Sequence, residues 1–243
     1  MLEAFQNLLS PPRHMLLVVL AAWLGLTFAE RRTERHGISK DDLNNIIFYS
    51  LIAFVFGGRI IFTLQNLTVF AKKPLDVISI NTDLFDLSGA LAFAFLAAII
   101  YGQRKQLGFW NSLDALTPFF AILAIGIGLS HLAEGTIHGT LTNLPWGIEF
   151  QGDILHPISH YEALASFFIA GLIWRFGQKT RPGIVFLTFA ACTAASHVLL
   201  SAFNSNATFL LEQYRSGQVL AWVVLFLCFI LLELRLRSAS KTG

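Results

Sequence analysis

Apolar residues in this chain run together in stretches of about 20, the length needed to cross the hydrocarbon of a bilayer as helix. Short segments holding most of the charges, prolines and glycines separate them. Seven stretches stand out, at about 14–29, 46–67, 84–102, 115–135, 158–176, 182–203 and 217–235. They predict an all-α polytopic membrane protein of seven transmembrane helices. Because the stretches occupy most of the chain, residues 1–243 are expected to form a single transmembrane domain. The first stretch, HMLLVVLAAWLGLTFA, runs into Glu30, Arg31 and Arg32 rather than a small-residue cleavage site, so it is read as a retained span.

Composition agrees and excludes other classes. Hydrophobic residues make up 55% of the chain, charged residues only 13%, and the mean hydropathy is +0.62. A disordered chain, a coiled coil and an ordinary water-soluble domain are all ruled out. A formal net charge of +2 gives no reason to expect nucleic acid as a partner. Cys192 and Cys228 lie far apart in apolar runs and are read as packing thiols.

The loops orient the spans. One side carries Arg31, Arg32, Arg35, Lys40, Arg104, Lys105, Arg175, Lys179, Arg181, Arg235, Arg237 and Lys241. The other carries Arg13, Lys72, Lys73 and Arg215. That roughly threefold bias, alternating in step with seven spans, predicts the N-terminus outside and the C-terminus in the cytoplasm.

With this orientation the costly ionisable residues fall at one level. Arg59 lies about two-thirds of the way out along the second span, and His131 and Glu134 near the outer end of the fourth. His160 and Glu162 open the fifth, and His197 sits in the outer half of the sixth. Asp83 and Asp86 open the third. The connection 136–157 adds His138, Glu149, Asp153 and His156. The expectation is a functional pocket at the outer leaflet; the plainer reading is a set of interhelical bonds locking the bundle. Arg59, after Gly57-Gly58, suits a phospholipid phosphate or an ion pair with Glu162 or Asp86. His131, Glu134 and His138, and likewise His156 and His160, have helical spacing that could hold zinc or a metal pair. Gly135, Gly139 and Pro157 interrupt that spacing, so pocket lining or a general base is preferred. No metal ligand and no cofactor is assigned. Trp146 and Tyr161 fit either an interface belt or the pocket wall.

The stretch 131–164, HLAEGTIHGTLTNLPWGIEFQGDILHPISHYEAL, resembles the signature region of the bacterial prolipoprotein diacylglyceryl transferases. The resemblance rests on Gly135, Gly139, Pro145-Trp146-Gly147, Phe150, His156-Pro157 and Tyr161-Glu162-Ala163-Leu164. Gly57-Gly58-Arg59, Asp114, Pro118 and Ser216-Gly217-Gln218 look like further family elements. It implies a multi-pass protein of the bacterial cytoplasmic (inner) membrane. Such a protein takes the diacylglyceryl group of a phosphatidylglycerol and passes it to a lipobox cysteine of a prolipoprotein. The chain also departs from the family. The family's span-three His-Gly-Gly falls at about Ser88-Gly89. In its fourth-span motif an arginine becomes Gly128, two asparagines become His131 and Glu134, and a glutamate becomes Thr136. Ile158 and Ser159 stand for Ser-Gln, and the stretch SAFNSNATF after span six lacks an arginine.

Three functions therefore compete. In a phospholipid-dependent transferase, Arg59 would hold the phosphate, His131, His156 or His160 would be the base and Glu162 would orient it. His138, Trp146, Tyr161 and His197 would line the lipid site, with Glu134 beside the base. The second is a non-catalytic family descendant, a lipid-binding or scaffolding subunit beside a partner membrane protein. The third is a histidine-based membrane hydrolase or metalloenzyme.

Overall fold

The computed structural model describes residues 9, 13–71, 84–135, 139–176, 181–205, 209–210 and 214–237. Its main elements are the helices α1 (Met15–Glu30), α2 (Lys40–Gln65), α3 (Leu87–Arg104), α4 (Phe109–Glu134), α5 (Ile158–Phe176), α6 (Ile184–Ser201) and α7 (Ser216–Arg237). A 3-10 turn at Thr33–His36 and a helical turn at Leu67–Phe70 connect them. Two small hairpins complete the set: β1 (Ile148–Phe150) with β2 (Asp153–Leu155), and β3 (Phe209–Leu210) with β4 (Tyr214–Arg215). Each predicted stretch contains a helix. The boundaries move where a helix outruns its apolar segment. α2 starts at Lys40, six residues before the expected start, because Ser39 caps it and the polar turn KDDLNN continues the helix.

Five helices, α2, α3, α4, α6 and α7, are long and apolar enough to cross a membrane. α1 is apolar but only 16 residues long, and α5 opens on the polar run ISHYE. The burial pattern is the reverse of a water-soluble helix. α7 buries only Ala221, Leu225 and Cys228, one stripe at helical spacing, while Leu220, Trp222, Phe226, Leu227 and Phe229 are exposed. This is the architecture of a polytopic membrane protein.

The chain divides into two compact units. One comprises residues 33–112, with α2 and α3; the other comprises 1–32 and 113–243. In the first, α2 and α3 meet through glycine. A Cβ on Gly57 would lie 2.4 Å from Phe93, and one on Gly58 would lie 2.4 Å from the Phe85 ring, the small-residue contact by which helices associate in lipid. Asp86 begins α3, its Oδ1 accepting the Gly89 N–H at 2.6 Å, and its own N–H donates to Gly58 O at 3.1 Å. At the other end of the pair, the Tyr101 hydroxyl donates to Asp42 Oδ1 at 2.9 Å.

In the second unit α4 is the central strut. Ala121 packs with Ile169 and Ile173 of α5 and Val185 and Phe189 of α6. α1 runs antiparallel to α4, with Gly126 against Ala21 and Gly25 against Phe119. Asp114, 2% exposed, joins α4 to the start of α6. Its Oδ2 accepts the Gly183 N–H at 2.6 Å and its Oδ1 the Phe186 N–H at 2.8 Å. A helix leaves its first N–H groups without internal partners, and here a carboxylate 69 residues upstream satisfies two of them at the positive end of the helix dipole. Gly183 has φ +95, a backbone state that suits glycine.

Candidate functional site

The second unit gathers most of the sequence-predicted polar residues at one end, where α4 and α6 finish and α5 and α7 begin. α4 stops at Glu134 because Gly135 turns left-handed, with φ +70, and its N–H closes back on His131 O at 3.1 Å. The chain then returns through 139–142, and Thr140 N–H donates to Phe203 O at 2.8 Å. The hairpin β1–β2 follows, turning at Gln151 and Gly152, both at positive φ. His156 N–H donates to Thr140 O at 3.0 Å, and Pro157 leads into α5. This small sheet was not anticipated. The signal was the dipeptide Gln-Gly between IEF and DIL, a two-residue turn flanked by short apolar-rich segments.

The central contact is between His131 on α4 and Glu162 on α5. Imidazole Nδ1 lies 2.9 Å from Glu162 Oε2. Donation from Nδ1 of a neutral ring to a carboxylate oxygen leaves the lone pair on Nε2. The histidine side chain is 37% exposed and the glutamate 19%, so the pair is accessible to a substrate without being fully solvated. One turn before His131, Gly128 makes the pairing feasible. A Cβ there would lie 3.0 Å from Ala163 Cα and 3.2 Å from Ala163 N. With hydrogen alone at that position, α4 and α5 approach closely enough for the next turn to form the bond. A large side chain at 128 has no room in this packing.

Trp146 Nε1–H donates to the Tyr161 hydroxyl at 2.8 Å, tying the loop before β1 to the first turn of α5. The His156 ring packs on Phe203 at 4.6 Å between centroids and lies 6.3 Å from the Tyr161 ring. Nδ1 of His156 and Nδ1 of His160 are buried with no hydrogen-bond partner among the described residues. Glu134 lies in the last turn of α4, three residues beyond His131 and so on a neighbouring part of the same face. His197 is on α6 with its side chain exposed. Of the remaining expected residues, Arg59 belongs to the other unit, where its Nη1 donates to Leu84 O at 2.7 Å. His138 and Asp83 lie outside the described residues. Among the described residues no three His, Cys, Asp or Glu side chains come together in a group able to hold a metal ion.

Two residues at this end were not singled out by their sequence. His14, 6% exposed, precedes α1, and its Nδ1 is buried without a partner among the described residues. Arg215 looked like an isolated loop charge. It reaches the end of α6 instead, where its Nη1 donates to the carbonyls of Ser201 and, at 2.9 Å, Asn204. Gln218 Nε2 donates to Val198 O at 3.3 Å beside it. The start of α7 thus caps the C-terminal carbonyls of α6, which gives a physical role to Gln218 in the Ser216-Gly217-Gln218 run.

The chain is similar to several named proteins. The phosphatidylglycerol–prolipoprotein diacylglyceryl transferase of Geobacter sulfurreducens is 29% identical over 224 residues, covering 87% of this chain and 86% of its own. The enzyme of that name from Clostridioides difficile is 26% identical, covering 86% of this chain and 84% of its own. The one from Bacillus velezensis is 24% identical, covering 90% and 86%. The family model for prolipoprotein diacylglyceryl transferase matches residues 13–234. With a match that runs from the residue before His14 almost to the end of α7, the chain belongs to the prolipoprotein diacylglyceryl transferase family.

Proposed function

We propose that this protein is a membrane transferase that moves the diacylglyceryl group of a phosphatidylglycerol-like phospholipid to the cysteine thiol of a prolipoprotein. Family membership supports the reaction class, and the His131–Glu162 pair is the observation that carries the chemistry. His131 Nε2 takes the thiol proton. The thiolate attacks the glyceryl carbon that carries the phosphate. A C–S bond forms, the C–O bond to phosphate breaks, and glycerol phosphate leaves with the electron pair. Glu162 holds the imidazole in the tautomer with Nε2 free and stabilises the imidazolium that forms. Glu134, in the last turn of α4, is assigned a place beside the base. His156 and His160 line the site and accept or pass protons. Trp146, Tyr161 and His197 contact the lipid, and His138 is assigned the same role from its place in the sequence. Arg59, in the other unit, keeps the role its residue type suggests, a cation for a lipid phosphate.

In this reading the chain is one transmembrane domain over residues 1–243, with seven spans, the N-terminus outside and the C-terminus in the cytoplasm of a bacterium. The seven helices at the seven predicted stretches and the distribution of Lys and Arg support it. The test is direct. Purified protein in nanodiscs receives phosphatidylglycerol labelled in its acyl chains and a lipobox peptide, and the thioether product is sought by mass spectrometry. Product that disappears in Glu162→Ala and His131→Ala, with folding retained, supports the proposal. A folded wild-type protein that retains lipid yet yields no product overturns it.

A further inference from the structure

A departing phosphate carries negative charge that the protein must meet with preorganised donors. In the unit containing His131, Arg31, Arg32, Arg175, Arg181, Arg235 and Arg237 lie at the opposite helix ends, at the finish of α1, α5 and α7 and just ahead of α6. Arg13 and Arg215 lie at the end where His131 and Glu162 meet; Arg13 is exposed and Arg215 half-buried. The two carbonyl contacts of Arg215 use a single nitrogen, Nη1. Among the described residues nothing accepts from its Nη2 or Nε, and neither is among the buried polar atoms. The guanidinium is therefore held through Nη1, with Nε and Nη2 uncommitted among the described residues. A fixed fork of N–H donors is the geometry that binds phosphate oxygens in pairs.

Its position also fits. Asn204, whose carbonyl anchors the guanidinium, bridges Gly139. The preceding residue, Phe203, packs against the His156 ring at a tilt of 45°. Arg215 and His156 thus attach to adjacent residues of one turn, whose Cα atoms are about 3.8 Å apart. His197 lies four residues before Ser201, on the face of α6 that leads to the same anchor.

We propose that Arg215 is a phosphate-binding residue. Its free edge engages a phosphate oxyanion, either in an anionic phospholipid headgroup or in the free phosphate ester released from one. The choice of headgroup rests on the transferase reading, but binding itself does not.

The test uses the full chain in phosphatidylcholine nanodiscs and requires no turnover. One arm titrates phosphatidylglycerol and reads retained lipid by native mass spectrometry. The other titrates glycerol phosphate and reads binding by calorimetry. Arg215→Gln keeps an N–H donor for the α6 carbonyls and removes the charge. It is expected to hold its melting temperature and lose about tenfold or more in the arm that represents the true ligand, with Arg215→Lys intermediate. A second measurement needs no variant. An arginine-specific dicarbonyl reagent is applied to the wild type, and Arg215 is expected to be protected by phosphatidylglycerol or glycerol phosphate and not by phosphatidylcholine. Retention within twofold of wild type in both arms for folded Arg215→Gln, or equal modification with and without phosphate ligand, overturns the proposal. Phosphate binding at Arg215 without thioether product leaves this site standing and removes only the transferase reading.

Discussion

Gly128→Ala tests how tightly helix packing and chemistry are joined. The added Cβ would meet Ala163 Cα at 3.0 Å and Ala163 N at 3.2 Å, inside the 3.4 Å at which ordinary contact begins. Both are backbone atoms, so no rotamer change relieves the clash and α4 and α5 must part by a few tenths of an ångström. Overpacking of this kind costs about 1–3 kcal/mol of stability. The His131–Glu162 bond, 2.9 Å long and one turn away, lengthens with the separation. A hydrogen bond to a charged group is worth about 1.5–3 kcal/mol. If that positioning operates in the transition state, its loss lowers turnover about 10–100-fold at 1.36 kcal/mol per decade. The assay pairs initial rates of thioether formation with unfolding in a detergent titration. Gly171→Ala is the control, since nothing lies within 4 Å of a Cβ at that position on α5. It is expected to leave the rate alone and to add up to about 1 kcal/mol through helix propensity. If Gly128→Ala behaves like Gly171→Ala in both measurements, the link between the close approach and the base is wrong.

Other substitutions probe separate parts of the fold. Asp114→Ala removes the acceptor for two buried N–H groups and is expected to cost about 3–5 kcal/mol, with Asp114→Asn losing roughly half as much because one oxygen remains; equal losses would show that charge rather than acceptor count matters. A double-mutant cycle of Trp146→Phe and Tyr161→Phe should give a coupling of about 0.5–1.5 kcal/mol for the 2.8 Å bond, and zero coupling would remove that bond from the account. Gly57→Ala places a Cβ 2.4 Å from Phe93 and should loosen the α2–α3 pair by about 1–3 kcal/mol, measured by unfolding; an unchanged midpoint would contradict the packing described.

The helices were legible because in a membrane the sequence signal is simply length times hydropathy. The same signal blurs helix ends, as at Lys40, where a capped polar turn extends the coil past the apolar run. The site was legible in part. Residue type marked Glu162 and three histidines as candidates, without saying which of them meet. The structure pairs Glu162 with His131 beside the close approach of Gly128 to Ala163, and a contact spanning 31 residues leaves no local pattern. Arg215 was read only as a charge that orients the spans. A charge near a span end signals topology, whereas its real partners are backbone carbonyls, which carry no sequence label. The β1–β2 hairpin, at three residues per strand, is too short for alternation to register.

The bridge from Asp114 to the start of α6 also bears on how the protein is made. Synthesis runs from the N-terminus, so Asp114 enters the nascent chain 69 residues before Gly183 and 72 before Phe186. Until that later segment emerges, neither of these two hydrogen bonds can form. The join between α4 and the start of α6 is therefore completed only after both helices have been made.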